Sequence, residues 1–498
     1  MIEAIVQGLT NVFSPGVFPW IFLGVIVGLI VGILPGLGGG TMLAICLPLI
    51  FGKDPAVALA LLVGMMATFG TGGPITSILF GIPGEAGSVA TILDGYPMAQ
   101  KGMAGRALGA AIMASVLGGF FGAFWLVVLI PVVRPIILAF GSPEILMMAI
   151  LAISFVAVLG RGSMPKALVA AALGMMLGYV GRHPGTGVLR YTSGILYLHG
   201  GFAIIPVVMG IFAIPEVIEL MVAGTSIAKV EHRLIKRIEV KEGIKDCFRH
   251  WWLLLRCSAI GTAIGIIPGI GSVVAQWLSY GHAKQTSRRA SEFGQGCVEG
   301  VIAAECPDNA KEGGALLTTL AFGVPGSVGM AIFMGALMIL GIPPGPEMIT
   351  KHLDLVWTVI FTLIIGNALG GIIALFFARD LARVTFLREV VLSPLILLLV
   401  VLGAYGAANS MLDVLICFGI GILSYLLKAF DYSRVTLVLG FILGDYIERY
   451  FLISLSTLGP GFLFDSPIAI VLALITILGL SYRKIKGLYK KFLLRPQR

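Results

Sequence analysis

Long apolar segments alternate with short polar connections along the whole chain, and many approach the roughly 20 residues that the hydrocarbon core of a bilayer requires. They predict spanning helices near 17–33, 56–69, 107–130, 144–160, 167–181, 203–222, 251–267, 315–342, 354–377, 390–406, 410–427, 435–447 and 467–482. Two further apolar pieces, 41–51 and 272–281, are too short to cross and predict half-helices or re-entrant segments. The pattern therefore predicts an all-α polytopic membrane protein with about 11–14 transmembrane helices.

The composition agrees with a membrane location. Of the 498 residues, 58% are hydrophobic and 12% are charged, whereas soluble domains carry roughly 25% charged residues. The net charge of +9 would suggest a nucleic-acid partner for a soluble protein, but basic residues gather in the cytoplasmic loops of membrane proteins. The expected partner is therefore the lipid bilayer, and no nucleic acid is expected.

The distribution of charge divides the chain into four parts. Residues 225–250 contain seven Lys or Arg against four acids, and the tail from 482 contains seven and no acid. The positive-inside rule assigns both segments to the cytoplasm. We therefore predict a first membrane repeat at 1–224, a basic cytoplasmic linker at 225–250, a second membrane repeat at 251–465, and an extra C-terminal helix with a basic cytoplasmic tail at 466–498.

The two halves share motifs in the same order. The pattern GxxxGxxPGxG occurs at 28–38 and again at 261–271, and FGIPGEAGSVA at 80–90 matches FGVPGSVGMAI at 322–332. Two ordered matches at a nearly constant offset predict an internal duplication. The final span at 467–482 has no counterpart in the first half. If linker and tail are both cytoplasmic, the second half alone crosses an odd number of times, so the two repeats are predicted to be inverted.

Each Pro-Gly-x-Gly motif follows a long apolar run and is predicted to end a helix inside the bilayer. Proline removes an amide donor and clashes with the preceding turn, and glycine tolerates unusual backbone dihedrals. Non-helical backbone at that depth survives only where it is buried in protein or lines a wet cavity. The N–H groups of the following helix attract anions, and free carbonyls suit Na⁺ or a proton carrier. Paired breaks indicate an ion-coupled secondary transporter.

The glycines spaced four residues apart ahead of each break have a simpler interpretation. They are Gly24, Gly28, Gly32, Gly261 and Gly265. Small residues at this spacing let two membrane helices approach closely. We therefore predict that they serve helix packing and that the breaks themselves form the site.

A polar loop follows each break and offers small oxygen ligands among glycines. The first loop, at 71–102, holds Thr71, Ser77, Glu85, Ser88, Thr91 and Asp94. The second, at 299–327, holds Glu299, Glu305, Asp308, Asn309, Thr318, Thr319 and Ser327. Such groups can coordinate Na⁺ or hydrogen-bond a carboxylate substrate, and charges at membrane depth are functional by default. The alternative is that Asp94, Lys101, Arg106 and Lys311 lie in wet connecting loops.

The sequence contains no catalytic constellation, so an enzyme is not predicted. HExxH is absent, the six histidines are scattered, and the six cysteines lack CxxC pairing. Neither a zinc site, a disulfide framework nor a cofactor is therefore expected. A channel and a freestanding carrier without partner subunits stay open as alternatives, and a saturable, gradient-dependent flux would favour a carrier.

Several longer segments point to one family. The stretch IPGEAGSVATILDGYPMAQKGMAGRALGAA (82–111) is followed by GSMPKA (162–167), GTGVLRYTSG (185–194), MGIFAIPEVI (209–218), FGQGCVEGVIAAECPDNAKEGGALLTTLAFGVPGS (293–327) and GALMILGIPPGP (335–346). In these segments, and over nearly its whole length, the chain resembles the large membrane subunit of the tripartite tricarboxylate transporters.

The resemblance implies a cation-driven uptake system in the cytoplasmic membrane of a prokaryote. This permease would work with a small four-span membrane subunit and an extracytoplasmic solute-binding protein that delivers an organic carboxylate, with Na⁺ or H⁺ as the coupling ion and no metal beyond a transported Na⁺. It also implies that the matched loops line the transport site. The candidate substrate- and ion-binding residues are Pro35, Gly36, Gly38, Gly39, Pro83, Gly84, Ser88, Asp94, Pro268, Gly269, Gly271, Glu305, Asp308, Asn309, Pro325, Gly326 and Ser327.

The chain departs from the family pattern at two places. Asp308 and Asn309 precede Ala310 where the family usually shows two asparagines, and His183 stands where members often carry aspartate. The added negative charge at Asp308 is expected to alter ion coordination or substrate preference. The resemblance therefore does not fix citrate as the substrate.

Overall fold

The computed structural model describes residues 1–34, 36–159, 163–223, 237–269, 271–382 and 389–493. Helices dominate these residues, so the predicted all-α class is confirmed. The first half contains α1 (Ile2–Phe13), α2 (Phe18–Ile33), α3 (Gly39–Ile50), α4 (Pro55–Phe80), α5 (Val89–Gln100), α6 (Ala104–Leu138), α7 (Ser142–Leu159), α8 (Met164–Gly178) and α9 (Ile204–Ala223). Between α8 and α9, strands β1 (Gly181–Arg182) and β2 (Leu189–Arg190) pair antiparallel.

The second half repeats this order of helices. It contains α10 (Arg237–Arg249), α11 (Trp251–Ile266), α12 (Gly271–Thr286), α13 (Val298–Phe322), α14 (Val328–Ile339), α15 (Pro346–Thr350), α16 (Leu353–Ala382), α17 (Glu389–Ala408), α18 (Met411–Ala429), α19 (Arg434–Leu458) and α20 (Pro467–Leu493). Short 3₁₀ helices lie at Leu196–Gly200 and Ala290–Glu292. The nine helices α1–α9 match, in order and approximate length, the nine helices α10–α14 and α16–α19. Helices α15 and α20 have no counterpart among the described helices of the first half.

Some predictions fall where the structure gives no description. Pro35, residues 225–236 of the predicted linker and residues 494–498 of the tail lie outside the described residues. The rest of the linker forms helix α10 and ends at His250, the residue before α11. Asp246 on α10 accepts a hydrogen bond of 2.6 Å from Arg106. Arg106 therefore sits in the first turn of α6 and not in a connecting loop. The domain boundaries stay a prediction.

Fewer helices are long enough to span a bilayer than the 11–14 predicted. By length and composition, five described helices qualify (α4, α6, α9, α16 and α18), or six if α1 and α2, bent by 70° at their junction, are one span. Seven further apolar helices of 10–17 residues are too short to qualify alone, and Pro-Gly motifs separate some of them from their neighbours. The run at 315–342, predicted as one span, is two helices, because α13 ends at Phe322 and α14 begins at Val328. The predicted half-helices at 41–51 and 272–281 are α3 and α12.

The centre of the molecule is formed by α4 and α13, whose residues are nearly all buried. Glycines let α2 and α11 approach these two helices closely. A Cβ added at Gly28 would lie 2.4 Å from the Met65 carbonyl oxygen on α4, and one added at Gly265 would lie 2.1 Å from the Lys311 carbonyl oxygen on α13. The glycines ahead of each break thus serve helix packing, as the sequence predicted.

In each half, one long helix packs on the central helix of the other half. Helix α6 packs on α13, and its counterpart α16 packs on α4. A Cβ at Gly119 would meet Asn367, and one at Gly371 would meet Val116, so α6 and α16 run antiparallel. Helix α10 lies along the start of α6, and α1 lies along the start of α16 near Trp357. Helices α1 and α10 are therefore at opposite ends of the bundle, which is the arrangement that inverted repeats require.

Candidate functional site

Both Pro-Gly-x-Gly motifs interrupt a helix. The first separates α2 from α3, with Gly36 at φ +88° and Gly38 preceding the first residue of α3. The second separates α11 from α12, with Gly269 at φ +77° and Gly271 at φ +76°. These positive φ angles strain residues that carry a Cβ, which explains the glycines. Each break leaves the N-terminal N–H groups of a helix, α3 or α12, without partners in the helix itself.

The second pair of loops lies directly against the breaks. Helices α4 and α13 both end in a left-handed glycine, Gly81 and Gly323. Beyond Gly323 the chain turns back, and the Gly326 carbonyl accepts a hydrogen bond of 3.2 Å from the Gly269 amide. In the first half, a Cβ added at Gly84 would lie 2.4 Å from the Gly32 carbonyl oxygen at the end of α2. Break and loop thus form one unit in each half.

A cavity of about 470 Å³ lies between the two units. The N-terminal ends of three helices reach it: α3 through Gly38 and Gly39, α12 through Gly271, and α14 through Ser327. Among the predicted site residues, the cavity brings together Gly38, Gly39, Gly269, Gly271 and Ser327. The Ser327 hydroxyl also caps α14 by accepting a hydrogen bond of 3.3 Å from the Met330 amide.

Several charged residues of the cavity wall are absent from the candidates that the resemblance implied, although Glu85 was among the oxygen ligands of the first polar loop. They are Glu85, Glu216, Lys311, Glu312 and Arg434. Lys311 pairs with Glu312, and its Nζ lies 4.0 Å from Asp308 Oδ1. Arg434 donates a hydrogen bond of 3.2 Å to Glu216. The position of Lys311 one helical turn after Asp308 was a usable signal, whereas Arg434 and Glu216 lie far from both motifs in the sequence and gave none.

Asp308, behind the cavity wall, and Glu85, in the wall itself, pack on the same stripe of α4. Asp308 is 2% exposed. A Cβ added at Gly70 would lie 2.2 Å from Asp308 Oδ2, and one added at Gly73 would lie 2.7 Å from Glu85 Cγ. Because Gly70 and Gly73 lie one helical turn apart, the two carboxyl groups are neighbours on this stripe of α4. Glu85 Oε1 and Asp308 Oδ1 have no hydrogen-bond partner among the described residues.

Asn309 and Glu305 lie outside the cavity wall, where they join helices. The Asn309 amide donates to Thr71 Oγ1 at 2.9 Å and to Asn367 Oδ1 at 2.8 Å, which ties α13 to α4 and α16. Glu305 accepts hydrogen bonds from Thr91 and, at 3.3 Å, from Ser115. Both side chains therefore have partners within the protein.

Asp94 is also separate from the cavity, and its acceptor atoms are well used. Its Oδ1 accepts from the backbone amides of Gly294, Gly296 and Cys297 at 2.9, 2.9 and 2.8 Å. Its Oδ2 accepts from the Tyr280 hydroxyl at 2.8 Å. Asp94 thus anchors α5 to the segment that enters α13, and the ligand role predicted for it stays a prediction.

The remaining predicted residues shape the loops around the cavity without lining it. They are Gly36, Pro83, Gly84, Ser88, Pro268, Pro325 and Gly326. Ser88, for example, closes the first loop: its hydroxyl donates to the Glu85 carbonyl oxygen at 2.9 Å and lies 2.9 Å from the Ser77 hydroxyl. The predicted site therefore divides into a cavity lining and a supporting frame.

A multi-pass helical protein with a polar cavity at the ends of paired broken helices has the organisation of a membrane transporter. Comparison with known proteins agrees. Residues 18–439 match the tripartite tricarboxylate transporter TctA family, and this chain belongs to that family. It is consequently a membrane subunit of a tripartite transport system and a member of a transporter family, in agreement with the prediction that it is not an enzyme.

The chain is similar to two proteins of Agrobacterium vitis. One is a 52.8 kDa protein of the TAR-I ttuC' 3' region, 32% identical over 450 residues that cover 90% of this chain and 89% of the relative. The other is a protein of the TAR-II ttuC' 3' region, 34% identical over 190 residues, or 38% of this chain and 78% of the relative. No solved structure matches the chain.

Proposed function

We propose that this chain is the permease subunit of a binding-protein-dependent secondary transporter, which imports organic carboxylates, tricarboxylate or related, by cation symport. A small four-span subunit and an extracytoplasmic solute-binding protein complete the system in the cytoplasmic membrane of a prokaryote, with linker and tail in the cytoplasm. The observation that carries the proposal is the cavity between the breaks, where three helix N-termini meet two cationic side chains.

The size and charge of this cavity suit a small carboxylate. Its volume of about 470 Å³ lies within the range of small-molecule sites. Each helix N-terminus carries about half a positive charge, and its free N–H groups bind anions. Lys311 and Arg434 add full charges, and a guanidinium matches the two oxygens of a carboxylate. A di- or tricarboxylate could therefore reach several of these donors at once.

The acids of the cavity wall give a reason for a cation to travel with the anion. Glu85, Glu216 and Glu312 share the wall with Lys311 and Arg434. If all five groups are ionised, three acids face two bases, and an anion entering alone meets net negative charge at short range. A cation bound in the same step offsets that repulsion, which supports symport.

The paired breaks support alternating access. Helix α3 of the first unit packs on α14 of the second, where a Cβ at Gly40 would lie 2.7 Å from Val328 Cγ1. The antiparallel packing of α6 on α16 supports the inverted arrangement of the two halves. In our proposal one group of helices moves against the rest and exposes the cavity first to one side of the membrane and then to the other.

The test is uptake of radiolabelled di- and tricarboxylates into proteoliposomes that contain this chain, its small subunit and its binding protein. Uptake is measured with an inward Na⁺ gradient, with an inward proton gradient, and with neither. We expect one acid to enter saturably and only under a cation gradient. Omission of the binding protein should abolish uptake, and this arm separates the tripartite carrier from a freestanding one.

Two results would count against the proposal. If no acid enters under any gradient with every component present, carboxylate symport is wrong. If flux rises linearly with substrate concentration and needs no gradient, the paired breaks form a channel. A matched control is the Gly16→Ala variant, because a Cβ there meets no atom within 4 Å, and its uptake should equal that of the unmodified protein.

A further inference from the structure

The facing carboxyl groups of Glu85 and Asp308 form an unusual pair. One lies in the loop between α4 and α5, and the other lies on α13, yet both pack on the stripe of α4 that contains Gly70 and Gly73. Asp308 is buried at 2% exposure, whereas Glu85 contributes to the cavity wall. The pair therefore connects the protein interior with the cavity.

The pair has too few hydrogen-bond donors around it. Lys311 Nζ lies 4.0 Å from Asp308 Oδ1 and is engaged by Glu312. Apart from this long ion pair, Glu85 Oε1 and Asp308 Oδ1 have no hydrogen-bond partner within the described part of the chain. Two ionised carboxylates at this separation repel each other, and an unpaired buried charge is costly. A proton on one carboxyl removes one charge and supplies the missing donor, because a protonated carboxyl is a hydrogen-bond donor.

We infer that Glu85 and Asp308 share one proton and that this proton is the coupling cation of transport. The inference rests on the proposed carboxylate uptake and names its ion. Two carboxyl groups that lie close together often share one proton, because both cannot easily carry a negative charge at once. Loading forms one O–H bond on the pair with a proton from water in the open cavity, and release on the opposite side returns the proton to water.

The other charged groups around the pair are consistent with this assignment. Glu305, Lys311 and Glu312 approach from α13, while Glu216 on α9 and Arg434 on α19 face the same cavity. The neutral helix packed beside the pair, α4, offers hydroxyl groups only. Loading the proton leaves fewer negative charges beside Lys311, so an incoming carboxylate meets a more positive wall. Substrate and proton are thereby coupled through charge.

The side chains predicted as Na⁺ ligands already hold loops and helices together, which favours the proton. The Ser88 hydroxyl bonds to the Glu85 carbonyl oxygen, and the Ser327 hydroxyl caps α14. The Asn309 amide is held by Thr71 and Asn367. A sodium ion needs several such oxygens at once, whereas a proton needs only the two facing carboxyl groups.

The experiment uses the complete transporter in proteoliposomes with a pH-sensitive dye inside. In the unmodified protein, substrate entry should acidify the lumen, and one unit of pH gradient should drive about tenfold accumulation for each coupled proton. In Asp308→Asn and in Glu85→Gln, an amide replaces the protonated carboxyl permanently. We expect exchange of labelled for unlabelled substrate to persist in both variants, while gradient-driven accumulation and lumenal acidification are lost.

The Glu242→Gln variant is the matched control, because it also neutralises an acid but on exposed α10, where Glu242 pairs with Lys245. Its accumulation should equal that of the unmodified protein. Accumulation that follows a Na⁺ gradient and ignores the pH gradient would overturn the proton inference and leave carboxylate symport intact. Absence of both uptake and exchange in the unmodified protein would instead overturn the proposed function itself.

Infrared difference spectroscopy gives a readout that does not depend on transport. A carbonyl-stretch band of a protonated carboxyl should be present in the unmodified protein in detergent and should change when pH is raised. Asp308→Asn and Glu85→Gln should each remove it. If the band persists in both variants, the proton is held elsewhere and the inference is wrong, even if one variant is too unstable for transport assays.

Discussion

Two buried aspartates, Asp94 and Asp308, show how differently this protein uses charge in its interior. They are 0% and 2% exposed. Asp94 receives three backbone amides and a tyrosine hydroxyl, so its charge is fully compensated. Asp308 lies beside the carboxyl group of Glu85, which contributes to the cavity wall. One of its oxygens, Oδ1, has no hydrogen-bond donor among the described residues. Burial alone therefore does not identify a functional carboxylate, and the supply of donors around it does.

Replacing Asp94 tests most directly whether its hydrogen-bond donors make it structural. In Asp94→Ala, three backbone amides and the Tyr280 hydroxyl lose their acceptor. Each buried donor without a partner costs about 1–3 kcal/mol, so we expect a loss of at least about 4 kcal/mol of unfolding free energy. The measurement is thermal unfolding of the detergent-solubilised protein, together with the monodisperse yield on size exclusion.

Asp94→Asn serves as the graded control. Its remaining carbonyl oxygen can still accept from the three amides, and the new amide nitrogen can donate to the Tyr280 hydroxyl oxygen. We expect an intermediate loss of about 1–2 kcal/mol, because a charge-assisted acceptor is exchanged for a neutral one. An Asp94→Ala protein as stable as the unmodified one but inactive in uptake would return Asp94 to the ligand role that the sequence suggested.

On the cavity side, the corresponding test should change affinity more than stability. Lys311 and Glu312 are replaced together, as Lys311→Met with Glu312→Gln, so that Glu312 is not left as a charge without its lysine. The loss of a charged hydrogen bond to substrate is worth about 1.5–3 kcal/mol, which is roughly a ten- to hundredfold weaker carboxylate affinity. Substrate titration by calorimetry and the KM for uptake measure it.

The single variant Glu312→Gln sharpens this result. It keeps the ammonium group and removes its nearest competitor, so carboxylate binding should be at least as tight as in the unmodified protein. Weaker binding in Glu312→Gln than in the double variant would mean that the lysine does not contact substrate. In that case the helix N-termini and Arg434 would bind the anion.

The parts of this structure that sequence could predict are those fixed by local backbone chemistry. Proline and glycine end helices wherever they occur in this spacing, so both breaks were predicted at the correct positions. The matched loops at 80–90 and 322–332 likewise carry their own turn residues, and both follow a long central helix. Repetition of these signals at a nearly constant offset was enough to predict an internal duplication.

The parts that sequence missed depend on contacts between distant segments. The anchoring of Asp94 could not be predicted, because its partners are backbone amides about 200 positions away, and amides leave no signature in side-chain types. The pairing of Glu85 with Asp308 needs the packing of both on α4. Arg434 reaches the cavity from a helix with no polar motif. The lengths of the individual helices could not be predicted, because breaks divide apolar runs without changing their composition.

We expect the smallest loss of stability for a change at Glu448, a carboxylate with hydrogen-bond donors that is partly exposed to solvent. It adds a third, less buried carboxylate to the comparison of Asp94 with Asp308. Arg190 donates two hydrogen bonds to it, at 2.6 and 2.9 Å, and His183 lies 3.4 Å away. The Glu448 and Arg190 side chains are 15% and 24% exposed, so solvent and salt screen the pair. For Glu448→Gln we expect a loss of about 1 kcal/mol or less, measured by thermal unfolding at low and high salt. The difference from the unmodified protein should shrink as salt is added, and Glu347→Gln, whose partner Lys351 is mostly exposed, should show still less. A loss as large as that of Asp94→Ala would mean that the number of donors, and not burial, sets the cost of removing a compensated carboxylate.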